Sequence, residues 1–472
     1  MMNSSFSSVP DHSVPRVRRV SVFACWTMLL ALVFLGLAVP KPALSESSTY
    51  DIPFYGGPWG VLHRDNRNSD SAPYVLADRY VPHHTVRFER QQIGFNKPTV
   101  GVGNSALLTG LIPLTGPLQL PYMFATVPDS PQFRQFLTQP DIDPGISASS
   151  ALNRYDGSVY LSDRRFMRRY GPGGQLLWQT PLRGHPMSNA HFTPEGDVFF
   201  FSWNGWFYVI DAEDGEILVE QNMTPGQEPP RQAGEACLFG DSGDCAFANA
   251  ASIDPFSRRI YQMLYLPGDG GARMVAYHYP SRGAALTNAW EGDKLAGGSA
   301  SSIVISADYQ RLYVVDREGH LITYDSSTGK EIWRIHYGFV SNASPVVSDG
   351  GYIMPAPTRE EPDSHFVIIK DEGESGRIVY ASRHYTPYAN AAAARFDRFA
   401  TFGRNRLTGQ LELLILDPRT GTMSRSPWGT DGEFQWGLLG VAIDNRGWIY
   451  VSGLGRVALR VYRPEDVGAS TP

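Results

Sequence analysis

Cysteine is scarce in this 472-residue chain: there are three, at positions 25, 237 and 245. That number excludes a dense disulfide framework and a cysteine-rich zinc site. Charge is sparse too, at 19% of residues with a formal net charge of -6. So mild an acidic balance leaves no electrostatic footprint for nucleic acid, and that class of partner is set aside. Also missing are Cys-x-x-Cys-His, a phosphate-cradling glycine loop, a His-Glu-x-x-His helix and a Ser-His-Asp order. What is abundant is of another kind. Hydrophobic residues make up 42% and aromatics 12%, with 47 glycines and 35 prolines. This is the balance of a packed globule, and so many turn formers beside so many aromatics point to short strands rather than long helices.

The first 45 residues read as an export segment. Arg16, Arg18 and Arg19 precede an apolar run from Val20 to Val39, Pro40 and Pro42 break any helix, and Ala43-Leu44-Ser45 is a small-x-small triplet of the kind cut by signal peptidase. The triplet favours a cleaved signal. The run, at about 20 residues, is also long enough to serve as a retained membrane tether. Either way the bulk of the chain is expected outside the cytoplasm, in the periplasm or beyond, anchored to the inner membrane if the leader is uncut. Cys25 lies ahead of the apolar stretch and reads as a spectator. Cys237 and Cys245 bracket a loop rich in Gly and Asp, CLFGDSGDC, and in an oxidising compartment they are expected to form a disulfide, with two separate thiols as the alternative.

An internal repeat dominates the rest. In residues 298–335, GSASSIVISADYQRLYVVDREGHLITYDSSTGKEIWRI, four apolar runs are separated by Asp-, Gly- and Ser-bearing turns. The same grammar recurs at 187–220, 341–381 and 389–424, more faintly at 146–181 and 247–291, and from near Asn96. The period of roughly 48 residues signals a propeller or solenoid. The last copy has only three strands. Residues 81–93, VPHHTVRFERQQI, read as an orphan fourth strand that would complete it and close the ring, removing an exposed sheet edge. The expected fold is all-β, an eight-bladed β-propeller with seven blades as the alternative count, and an N-terminal strand closing the last blade. Its domains are the export segment 1–45, a leader 46–80, the propeller 81–465 and a tail 466–472.

The repeat resembles the PQQ-like repeat of the quinoprotein alcohol dehydrogenase-like propellers, on YDSSTGKEIW (324–333), YGPGGQLLW (170–178), IDAEDGEIL (210–218), LDPRTGTMS (416–424), SNASPVVSDG (341–350) and the leader WGVLHRDNRNSD (59–70). The resemblance implies that Trp178 and Trp333 pack between neighbouring blades. The family holds both quinone-cofactor dehydrogenases and non-catalytic scaffolds such as an outer-membrane assembly lipoprotein. Its dehydrogenases usually carry adjacent cysteines against the cofactor, and this chain has no Cys-Cys pair. The reading is therefore a binding or scaffold protein of the envelope, with an envelope protein or a small ligand as partner and no cofactor. The rival is an alcohol or sugar dehydrogenase using PQQ with calcium at the channel mouth.

Aligned repeats place a small polar residue at the start of each inner strand: Asn96, Ser147, Asn189, Asn249, Ser299, Asn342 and Asn390, with Trp436 in the eighth position. Amides ringing a channel mouth could bond a sugar, a peptide carbonyl or a cation, whereas Asn and Ser in such places also cap their own turns. No catalytic residue stands out. His83, His84, His185, His191, His336 and His384 show no convergent metal-ligand spacing. Arg164, Arg165, Arg168 and Arg169 form the one basic patch, read as a solvated edge or a contact for an acidic partner or anionic lipid.

Overall fold

Apolar runs of this length, parted by Asp/Gly turns, fold as antiparallel meanders in the computed structural model. It describes residues 51–87, 93–95, 97–113, 119–126, 130, 132–137, 151–162, 165–183, 189–224, 245–265, 271–295, 297–341, 343–356, 363–428, 434–435, 440–452, 454–455 and 457–465. The export segment therefore lies outside the described residues. Eight sheets form, six of them four-stranded. In blade 5 the inner-to-outer order is Val304–Ile305, Arg311–Val315, His320–Asp325 and Glu331–His336, each antiparallel to the last. Blades 2, 3, 4 and 6 repeat that plan, with inner strands Leu152–Asn153, His191–Phe192, Phe247–Asp254 and Val346–Val347. Blade 1 starts at Thr99–Val100 and blade 7 at Ala392–Ala394, and both sheets carry extra short strands.

The ring closes as expected. Blade 8 runs Val441–Ile443, Ile449–Ser452 and Val457–Pro464, and its outermost strand is Tyr80–Arg87 from the other end of the chain. Tyr80 pairs with Pro464 and Arg87 with Val457. The count is eight blades.

The core lies between blades. Tyr261, Met263, Met274 and Ala276 of blade 4 pack with Ile303, Ile305, Leu312, Val314 and Ile322 of blade 5 in one buried cluster. Each outer-strand tryptophan then locks onto the next blade. Trp178 Nε1 donates to Ala212 O (3.2 Å), Trp290 Nε1 to Ser326 O (3.2 Å) and Trp333 Nε1 to Asp371 Oδ1 (3.3 Å). The receiving turn needs glycine twice over. Gly215 and Gly329 sit at φ 82° and 70°, and a Cβ there would come within 2.8 Å of the Trp178 ring and 2.4 Å of the Trp290 ring. That is why the repeat pairs a glycine in one blade's third turn with a tryptophan from the blade before.

Candidate functional site

Eight inner strands facing a channel present backbone N–H groups that no ladder satisfies. Here the leader satisfies such groups in six blades. Trp59 pairs with Val100 of blade 1, and Asn153 N–H of blade 2 donates to Gly60 O (2.7 Å). Ile253, Ile305, Val347 and Ala393, on the inner strands of blades 4, 5, 6 and 7 or next to them, donate to Asn66 O, Arg67 O, Ser69 O and Asp70 O at 2.8–3.0 Å. Ser71 and Ala72 then run parallel to Ala393 and Ala394. The segment WGVLHRDNRNSDSA, residues 59–72, thus sits in the channel. All of it but Leu62 is buried.

Burying four charges on one short segment demands pairing. Asp65 takes hydrogen bonds from Arg64 Nη1 (3.1 Å), Arg67 Nη2 (3.3 Å) and Ser69 Oγ (2.7 Å). Burial opposes its charge, but Arg67, Arg64 and Ser69 prevail and hold the carboxyl below the usual range. Asp70 lies between His63, whose Nδ1 is 2.9 Å from Oδ2, and Lys97, whose Nζ bonds Oδ1. Lys97 also caps the Trp59 ring, 4.6 Å from its centroid, and burial pulls its pKa down despite Asp70. A carboxylate only accepts, so His63 Nδ1 carries the hydrogen and Nε2 faces Ser302 Oγ at 3.2 Å. Asp70, His63 and Ser302 so form a relay of hydrolase type, one that their wide separation in sequence hides. Ser302 is fully buried, and its Oγ already accepts Ala250 N–H (3.2 Å), so the relay ties the plug to blade 5 and presents no nucleophile to a substrate.

His191 joins this interior, with Nδ1 2.8 Å from Tyr55 Oη. Burial, reinforced by His63, pushes its pKa down to about 3, with Asp65 pulling the other way. Its Nε2, the Asn68 Oδ1 and both amide atoms of Asn189 are buried without a hydrogen-bond partner among the described residues.

The strand-start ring is only partly visible. Asn96, Ser147, Asn342 and Trp436 lie outside the described residues. Asn189 is buried. Asn249, at φ 47°, donates to Ala300 O (3.0 Å) and accepts from Ala250 N–H (3.0 Å). Ser299 Oγ donates to Val315 O (2.6 Å), and Asn390 bridges to Gly440 of blade 8. Asn249 and Ser299 thus spend their polar groups on neighbouring backbone. Cys245 is disulfide-bonded, and its expected partner Cys237 lies outside the described residues.

One reading of charged residues changes. Arg168 and Arg169 are buried rather than a solvated patch. Arg169 reaches Asp156 (2.9 Å) and Glu213 (2.7 Å), and Arg154 reaches Glu213 (2.5 Å). Hydrogen bonding from Arg154, more than that from Arg169, holds Glu213 down at about 2. Asp316, Glu318 and His320 bring ligand atoms within 4.8 Å of one another on a hairpin, but the Asp316 carboxylate already accepts Glu318 N–H (2.9 Å), His320 N–H (2.8 Å) and His320 Nδ1 (3.0 Å).

A quinone with calcium was the alternative occupant of this channel. The channel mouth where it was expected lies partly outside the described residues, and among those described no group is set aside for it. The leader fills the space where inner strands converge, and both carboxylates buried there, Asp65 and Asp70, are already neutralised within the chain.

Known proteins fall on the same architecture. Residues 280–426, from the end of blade 4 through blade 7, match the family model described as outer membrane protein assembly factor BamB. Protein Rv3035 of Mycobacterium tuberculosis is 24% identical over 274 residues, 57% of this chain, and the match spans 65% of that relative's length. A quinohemoprotein alcohol dehydrogenase from Pseudomonas putida HK5 superposes with a TM-score of 0.55 at 11% identity, over 89% of this chain and 82% of that one. The C-terminal WD40 domain of Sif2 gives 0.53 at 10% identity, over 83% and 100%. At such identities the structural likeness speaks for the fold alone. The chain is an eight-bladed β-propeller, and its residues 280–426 are similar to the PQQ-like repeats of that family model.

Proposed function

We propose that the protein is an exported binding or scaffold component of the cell envelope that holds a protein partner on its surface loops. One observation carries this: residues 59–72 occupy the channel and pair its buried charges internally, so the groups left to meet a partner are the turns at the two ends of the ring. The family model described as an outer membrane assembly factor supports the same reading. Redox chemistry would need a cofactor seat, and the channel offers none among the described residues.

The test adds PQQ and calcium to the purified full chain and follows the visible spectrum and dye reduction across alcohols and sugars. The expected result is no saturable binding and no turnover, with an envelope protein recovered by crosslinking in intact cells. Stoichiometric PQQ binding with substrate-dependent dye reduction would overturn the proposal.

A further inference from the structure

Antiparallel meanders put the turn between first and second strands, and that between third and fourth, on one face of the ring. The remaining connections fall on the other. The leader enters and leaves by the first face. Phe54 O accepts Tyr155 N–H in the first turn of blade 2, Asp51 bonds Tyr309 Oη in the first turn of blade 5, and Tyr74 O accepts Arg395 N–H beside the first turn of blade 7. Residues 51 and 74 therefore both lie on this face, with the plug dipping into the channel between them.

That face is where exposed apolar side chains gather. Val102, Tyr155, Phe256 and Phe396 are 51%, 54%, 73% and 51% exposed, and each sits in the first turn of its blade: 1, 2, 4 and 7. Val75, 52% exposed, joins them where its carbonyl abuts Gly447 in the first turn of blade 8. In blades 1 and 2 the position is the same: Gly101 N–H and Arg154 N–H close onto Ser105 O and Ser158 O, and the next residue, Val102 or Tyr155, points out. Leu407, 92% exposed on the second turn of blade 7, belongs to the opposite face and has no such company among the described residues. Among the described residues, the exposed apolar tips fall mainly on the first-turn face.

We infer that the first-turn face lies against a lipid leaflet, with Val75, Val102, Tyr155, Phe256 and Phe396 as its contact points. The chain itself says which surface is near. The apolar run ends at Val39, and residues 40–50 are all that separates it from Asp51 on this face. Fully extended, such a linker reaches at most roughly 40 Å. Any membrane holding residues 20–39 therefore lies within roughly 40 Å of Asp51 on this face. Tyr and Phe tips suit the interfacial region, where an aromatic body meets a polar boundary. Charge refines the choice. Turns of this face carry exposed groups of both signs, Asp308 and Glu372 beside Arg282, Lys330, Arg395 and Arg419, which suits a zwitterionic surface.

This inference rests on export, and its failure is separable from a failure of the proposed function. Full-length protein is reconstituted into phosphatidylcholine vesicles doped with a phospholipid carrying a photoactivatable carbene precursor, and adducts are mapped by mass spectrometry. Adducts are expected on peptides bearing Val102, Tyr155, Phe256 and Phe396, and not on the Leu407 peptide. The variant Tyr155→Ser/Phe256→Ser/Phe396→Ser changes side chains that are each more than half exposed, so its thermal unfolding should stay close to wild type while labelling of the Val102 peptide falls about fivefold or more. Labelling of Leu407 equal to that of the turns, absence of turn adducts, or an unchanged Val102 yield in the variant would overturn the assignment. So would crosslinking of these turns to a protein in cells when vesicles give no adducts. Resistance of the protein to protease in opened envelopes would instead count against export and so against the functional reading.

Discussion

At the residue scale the decisive chemistry is that of a polar interior. Asp70 sits between His63 and Lys97, and each partner makes the others' burial tolerable. Removing one leaves a buried charge uncompensated, which typically costs about 3–5 kcal/mol. Lys97→Met should lower stability by that amount in urea unfolding, and Lys97→Met/Asp70→Asn should recover part of it. His191 gives a pH signature. Its folded pKa is about 3 against an ordinary 6.5, so between those values the unfolded chain binds the extra proton. Its contribution is complete above the unfolded value and is lost as pH falls through that window, at up to about 1.4 kcal/mol per unit. Replacing His191 with Gln should flatten the dependence of the urea midpoint between pH 6.5 and 4. An unchanged slope would mean His191 is not held neutral. None of this was legible in HRDNRNSDS, which the sequence marks only as part of the leader. The clue was the balance of its charges: Arg64 and Arg67 stand against Asp65 and Asp70 within seven residues, and such a stretch can neutralise itself.

At the element scale the repeat did most of the work. Strand runs, Asp/Gly turns and the Trp register all follow from side chains that act within one blade or against the next, and such local rules repeat visibly along a sequence. Trp333→Ala should cost about 3–5 kcal/mol, because it empties the contact with blade 6. The orphan strand was readable for the same reason: the last copy lacked a fourth run. Its pairing spans nearly the whole chain, from Tyr80–Pro464 to Arg87–Val457. Deleting Tyr80–Arg87 should therefore unfold the ring in one transition at lower denaturant, with tryptophan fluorescence and circular dichroism moving together. Loss confined to blade 8, with the midpoint of the other blades unchanged, would show that closure is not cooperative. The leader escaped because it belongs to no repeat. Its partners lie in at least six blades, and contacts between a unique segment and many copies leave no period to detect.

At the scale of the whole molecule, a ring that could have enclosed a ligand encloses its own chain. Inner strands satisfy their channel-facing N–H groups on residues 59–72, and those residues bury their charges on one another. The plug is thereby part of the folded core, and of the candidate ring of strand-start residues Asn249 and Ser299 are tied to backbone while the Asn189 amide is buried without a described partner. The most direct measurement is native-state hydrogen exchange of residues 60–72 and of the amides of Ile253, Ile305, Val347 and Ala393. If the leader is a structural plug, these sites exchange only through global unfolding, at rates set by the stability of the inner strands. Exchange of these amides within seconds while the blades stay protected would contradict it, and would reopen the channel to a ligand.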